Sequence, residues 1–248
     1  MKSHFTQTLL LILVFSLSVS AVAEDRPLKA FVLAGTSNMH GGNARMNDLS
    51  DDLRPPQKEV LIYEKSDWMP LEAGKNLVGN EATFGQAMTR HLGEPIGIIR
   101  ITVAHASGRP PGNKLNQIVK QAREKGRPIV IAGMLLDVSF RDGKKKEDAL
   151  AYKKNLIHWV ESIRQEIGNP KLPIVMNRAV PPVPKTPHLE LVRKAQDSLE
   201  LPNFHVFDCD DVPQRGDNIH FNTAGRLEMG RRFASAMIEL MKPCKQED

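Results

Sequence analysis

The stretch Leu28-Lys29-Ala30-Phe31-Val32-Leu33-Ala34-Gly35-Thr36-Ser37-Asn38-Met39 decides how the rest of the chain is read. Its first half is apolar apart from Lys29 and lacks the alternation of a half-exposed strand. It therefore predicts a strand buried on both faces of a parallel sheet. Gly35 permits a tight exit, and Ser37 stands in the turn beyond it. Ligand sites in open α/β sheets collect at the carboxyl ends of strands, which is where this hydroxyl falls.

The same kind of run recurs at Val60–Tyr63, Ile96–Val103, Ile129–Leu136, Leu172–Met176 and Phe204–Phe207. Amphipathic stripes at helical spacing lie between several of them. Leu115, Ile118, Val119 and Ala122 form one, with Gly126 as a stop. Leu156, Val160, Ile163 and Ile167 form a second, stopped by Gly168, and Leu189, Val192, Ala195 and Leu199 a third. The last runs through Leu227, Ala234, Ile238 and Met241, with Thr223 as its expected N-cap. Strand–helix alternation of this kind predicts a three-layer α/β/α domain with a mainly parallel sheet. Pro181-Pro182-Val183-Pro184 reads as a stiff surface loop, because proline suits neither ladders nor helix interiors.

Near the other end stands Asp217-Asn218-Ile219-His220, just before the last helical pattern. A serine hydroxyl is a weak nucleophile and needs a base within hydrogen-bond reach. His220 suits that task, and Asp217 three residues earlier could fix the tautomer of its ring. Singly, Ser37 reads as a turn residue, and Asp217 with His220 as a turn beside a partly buried histidine. Only their pairing points to acyl transfer.

The chain has 248 residues, and its start reads as an export signal. Lys2 precedes an apolar core from Leu9 to Leu17, too short to span a bilayer, and Ala21-Val22-Ala23 has the form of a cleavage site. Residues 1–23 are thus expected to be removed, leaving 24–248 as a single domain that is exported (periplasmic or extracellular) and free of the membrane. The formal net charge of +5 at pH 7 is modest and dispersed. The one tight basic run, Lys144-Lys145-Lys146, reads as a solvated loop or helix start, and no aromatic interleaving suggests a nucleic-acid partner. Two cysteines, Cys209 and Cys244, make no metal cluster; after export they could pair or stay free. No histidine pair has the spacing of metal ligands, so neither metal nor cofactor is expected.

At these residues the chain resembles the sialate O-acetylesterase-like branch of the SGNH hydrolase superfamily. That family's first block, roughly Leu-Ala-Gly-Gln-Ser-Asn-Met, is similar to Leu33–Met39, with Thr36 in place of Gln. Its last block, Asp-x-Ile-His-Phe/Tyr-Asn, is similar to Asp217–Asn222, followed here by Thr223, Ala224 and Gly225. Lesser matches are a Trp-x-Pro-Leu turn at Trp68–Leu71, a helix at Glu81–Ala87, and Arg193–Gln196. The resemblance implies a flavodoxin-like sheet of about five strands. It implies Ser37 as nucleophile, His220 as base, Asp217 as its orienter, and an acetylated carbohydrate as substrate.

The third block departs from the family. Where the family has Gly-x-Leu-Trp-x-Gln-Gly-Glu-Ser-Asp, this chain has Gly133 to Asp142, with Val138 for Gln and Phe140 for Glu. Valine has no donor for an oxyanion, and losing one such donor costs about 3 kcal/mol. The second block lacks the usual glycine pair. Its backbone amides at Ala106, Ser107 or Gly108, together with Asn38, are the expected oxyanion or substrate contacts. His105, Asp137, Ser139 and Arg141 are further polar residues near these blocks. The alternative to an esterase is a catalytically weak relative that binds glycans without turning them over.

Overall fold

The computed structural model describes residues 26–40, 46–72, 79–103, 105–106, 112–124 and 128–243. The first strand, β1 (Leu28–Gly35), has every side chain buried except that of Lys29. Its unbroken apolar run has a neighbour on both sides, pairing in parallel with β4 (Ile96–Thr102) and with β5 (Ile129–Leu136). Outward from β5 lie β6 (Ile174–Asn177) and β7 (Phe204–Phe207), again parallel. Beyond β4 come β2 (Gln57–Glu64) in parallel and β3 (Asp67–Leu71) antiparallel, giving the order β3-β2-β4-β1-β5-β6-β7.

Among the described residues the sheet thus has seven strands rather than about five. The five from β4 to β7 form the flavodoxin-like core, and the β2–β3 hairpin widens one edge. Trp68–Leu71, expected as a turn, is most of β3. Pro70 hides this strand from a sequence reading, because proline cannot donate to a ladder. On an edge strand, the one missing donor costs little.

Among the described residues, five α-helices cover the sheet. They are α1 (Asn80–Leu92), α2 (Gly112–Glu124), α3 (Lys146–Ile167), α4 (Leu189–Asp197) and α5 (Thr223–Met241). α1 packs on α5, while α3 packs on α4 and α2, so the helices divide between the two faces of the sheet. The stripe Leu156, Val160 and Ile163 is fully buried, and Gly168 caps α3 in the left-handed conformation with φ 73°. α3 begins at Lys146, the last residue of the exposed lysine run. The N-cap of α5 is Asn222 rather than Thr223: its side chain accepts the Gly225 amide at 2.9 Å. Both residues suit a cap. Asn222 takes the place because its own amide is already bonded back to the Pro213 carbonyl, 3.2 Å away.

That bond belongs to a small loop which carries the second motif. Gln214 bridges Phe221 in antiparallel fashion, and the Arg215 amide donates to the His220 carbonyl at 2.7 Å. Asp217 to Ile219 form the tip, where Asn218 adopts φ 55°, a left-handed conformation that asparagine tolerates well. Gly225 lets the first turn of α5 close onto this loop, since a Cβ there would overlap the Pro213 carbonyl oxygen. Backbone must move to admit it, so Gly225→Ala is expected to destabilise by about 3 kcal/mol. In thermal unfolding this is a fall of roughly 6–12 °C in Tm. An unchanged Tm would show that the loop is not held this tightly.

Candidate active site

Ser37 sits in the turn that leaves β1. The Thr36 carbonyl accepts both the Met39 and His40 amides, at 3.0 and 2.9 Å. Such double acceptance polarises the Thr36–Ser37 peptide and strengthens the Ser37 N–H as a donor. Gly35 is required for this turn: a Cβ would lie 2.6 Å from Met39 Cβ and 3.0 Å from the Asp137 carbonyl oxygen. Ser37 itself is exposed, while Met39 is fully buried and anchors the turn.

The two motifs meet. His220 Nε2 lies 2.9 Å from Ser37 Oγ, across 183 positions of sequence. His220 Nδ1 lies 2.6 Å from Asp217 Oδ2. The other carboxylate oxygen, Asp217 Oδ1, accepts the amides of Ile219 and His220, each at 2.9 Å. Burial pushes the Asp217 carboxyl up, but hydrogen bonds from the His220 amide, the His220 ring and the Ile219 amide outweigh it. The carboxyl is held well below the usual carboxylate range. An ionised Asp217 can only accept, so Nδ1 carries the proton and Nε2 is left to accept from the Ser37 hydroxyl.

The expected oxyanion contacts fare differently. The Ala106 amide donates to Asp142 Oδ2 at 3.0 Å, a fully buried carboxylate from the loop after β5. It is therefore spent on tying the second block to the third, a correction to the sequence expectation. The Asn38 carboxamide is also engaged elsewhere: Nδ2 donates to the Ile219 carbonyl at 2.9 Å, and Oδ1 accepts the Phe221 amide at 3.2 Å. It fastens the serine turn to the histidine loop. Ser107 and Gly108 lie outside the described residues. Val138 is fully buried in the core, so the position expected to carry a polar donor is filled by hydrocarbon. Of the other polar candidates, Ser139 is buried, Arg141 exposed and His105 half-buried.

Two further groups are part of this surround: Arg226, which the sequence reading did not single out, and Asp137, which it named without a role. Arg226, in the first turn of α5, donates from Nη1 to the Ser37 carbonyl at 2.8 Å and from Nε to the Phe221 carbonyl at 3.2 Å. Asp137, directly after β5, is half-buried, and its amide donates to the Ala34 carbonyl at 2.9 Å. Burial pushes its carboxyl up to about 6, against the opposing pull of Asn177, Arg226 and His220.

The sign for stability follows from that shift. Between about pH 3.8 and 6 the folded protein holds a proton at Asp137 that the unfolded chain releases. The associated stabilisation is complete below that window and is lost as pH rises through 6. Asp137→Asn removes the titration. After discounting for partial exposure, it should gain about 1–2 kcal/mol at pH 7 and little at pH 4. Thermal melts of both proteins across that range check it; parallel pH slopes would contradict it.

Cys209 is buried and its thiol donates to the Arg178 carbonyl at 3.2 Å. The residue with which it was expected to pair or not, Cys244, lies outside the described residues, as does the export signal at 1–23. Among the described residues, no group of three His, Cys, Asp or Glu side chains is placed to hold a metal ion.

Fold and site together are a three-layer α/β/α scaffold that brings a serine, a histidine and an aspartate into line, and comparison with known proteins gives its family. The profile of the family described as carbohydrate esterase, sialic acid-specific acetylesterase matches residues 27–239, and the chain belongs to that family. A probable carbohydrate esterase of Arabidopsis thaliana is 23% identical over 241 residues, covering 86% of this chain and 91% of that protein. The solved Arabidopsis structure superposes with a TM-score of 0.73 at 22% identity, covering 86% of this chain and 99% of that one. A carbohydrate acetylesterase from Xanthomonas citri gives a TM-score of 0.63 at 18% identity, covering 86% of this chain and 56% of that one. At these identities the structural likeness speaks for the fold.

Proposed function

We propose that this chain is an exported serine esterase that removes O-acetyl groups from a carbohydrate. The observation that carries the reading is the continuous hydrogen-bond line from Ser37 Oγ to His220 Nε2 and from Nδ1 to Asp217. Family membership supports the ester and carbohydrate parts of it. Export is supported by the sequence of residues 1–23.

The chemistry runs in two halves. Ser37 Oγ attacks the acetyl carbonyl while its proton passes to His220 Nε2, and Asp217 stabilises the imidazolium that forms. The tetrahedral intermediate collapses, the C–O bond to the sugar breaks, and His220 returns the proton to the departing sugar oxygen. This leaves acetyl-Ser37. Water then attacks the acetyl carbonyl, giving its proton to His220, and the second collapse releases acetic acid and regenerates the Ser37 hydroxyl.

Charge on the oxyanion is held by the Ser37 amide, polarised by the double acceptance at Thr36. Val138 of the third block adds no side-chain donor there, since it is buried hydrocarbon. One missing donor is a loss of about a hundredfold in kcat, so the enzyme is expected to be slow. The same observation favours a second reading, a glycan-binding relative with negligible turnover. Hydrolysis of an aryl acetate and of an acetylated oligosaccharide, each by wild type and by Ser37→Ala, separates them. Serine-dependent acetate release supports the esterase. Binding of the acetylated glycan without release supports the second reading, and equal rates for both proteins exclude Ser37 as nucleophile.

A further inference from the structure

The serine turn and the histidine loop arise at opposite ends of the chain, and neither fixes the other by local geometry. Ser37 is exposed, and the side chains of His220 and Asp217 are 35% and 44% exposed. The 2.9 Å separation of Oγ and Nε2 must therefore be held from behind. Among the described residues, two side chains reach across. Asn38 joins its turn to Ile219 and Phe221, as described above. Arg226, only 3% exposed, joins the carbonyl of Ser37 itself to that of Phe221, the residue directly after the base.

The position of Arg226 is unusual. A cation in the first turn of a helix opposes the macrodipole, which favours negative charge there. Burial works against its charge too, as does Arg215 of the histidine loop, while Glu81 of α1 and Asp137 beyond β5 support it. A buried arginine in such a place requires specific partners, and its hydrogen bonds among the described residues go to the carbonyl oxygens of Ser37 and Phe221. Its planar guanidinium suits this bridge, because it presents separate N–H groups in a fixed fork, whereas a lysine ammonium is a point donor on a flexible stem.

We propose that Arg226 is the positioning residue of the nucleophile: it sets the spacing of Ser37 Oγ and His220 Nε2 by holding their two backbone segments together. It touches no substrate and acts through Ser37. The inference rests on the esterase reading above, and the test keeps the two apart. A fluorophosphonate probe reacts with an activated serine by displacement of fluoride and needs no turnover. Wild type, Arg226→Lys and Arg226→Met are each titrated with the probe, then assayed on an aryl acetate.

The expected result is one adduct per chain in all three, with KM within about twofold and kcat lowered about tenfold in Arg226→Lys and about a hundredfold in Arg226→Met. Full labelling with a reduced rate is the mark of misplacement, because partial unfolding would lower both together. Wild-type kcat in a fully labelled Arg226→Met overturns the role, as does a rate loss matched by lost labelling sites. Should Arg226→Met fail to fold, Arg226→Lys decides alone: an unchanged kcat overturns the proposal. A wild-type protein that neither takes the label nor releases acetate overturns the esterase reading itself, and this role with it.

Discussion

Ser37→Ala is expected to lower kcat/KM for an acetyl ester by about 10⁴- to 10⁶-fold, with Tm changed by no more than about 2 °C. The hydroxyl is exposed and its hydrogen bond goes to a partly exposed imidazole, so removing it strands no buried group. The β1 exit turn is held by Gly35, by the buried Met39 and by the Thr36 carbonyl, none of which changes. What is lost, in the proposed mechanism, is the atom that bonds to the acetyl carbon. Any remaining rate comes from water attacking a bound ester beside the Ser37-position amide. Steady-state assays of both proteins, with melts alongside, give the comparison. A loss under tenfold in a folded protein would mean that another group attacks the ester.

Asp217→Asn should cost nearly as much, about 10⁴-fold in kcat, although it replaces a single oxygen by nitrogen. Asparagine can still accept the Ile219 and His220 amides through its remaining oxygen, so the loop tip keeps its shape. The other position, now an NH₂ group, faces His220 Nδ1 across what is a 2.6 Å contact in the wild type. Two donors cannot share that line. The ring therefore moves its proton to Nε2, and Nε2 ceases to accept from Ser37. KM for the ester should change little, because nothing that holds the acyl group has moved. A variant within tenfold of wild type would show that His220 does not depend on Asp217 for its tautomer.

Much of the scaffold could be read from local pattern, and what escaped depends on tertiary placement. All six strands expected from apolar runs are present; in β1, β4, β5 and β6 the largely continuous burial of a parallel sheet leaves a continuous hydrophobic signature. β3 escaped because Pro70 reads as a breaker, and only an edge position makes it tolerable. Asn222 and Thr223 are equally good caps in isolation, and the back-bond to Pro213 chose between them. At the site, Ser37, Asp217 and His220 carry side chains whose chemistry is distinctive, so the motifs singled them out, and the fold brings the three together. Ala106 was expected to aim its amide at the substrate. The direction of an amide is a property of the folded turn, and here it points at Asp142. Arg226 had one local signal, a cation where the helix dipole disfavours it; its purpose became visible only once the two carbonyls it bridges were brought together.

The proposed mechanism requires Ser37 to form a covalent bond with the acyl group. The most direct measurement is intact-protein and peptide mass spectrometry after acid quench of the enzyme mixed with an activated acetyl ester. The expected result is a single added acetyl group on the peptide containing Ser37, present during turnover, absent in Ser37→Ala, and lost when the ester is exhausted. Acetate release at the wild-type rate with no adduct at Ser37, or with the adduct on another residue, would contradict it.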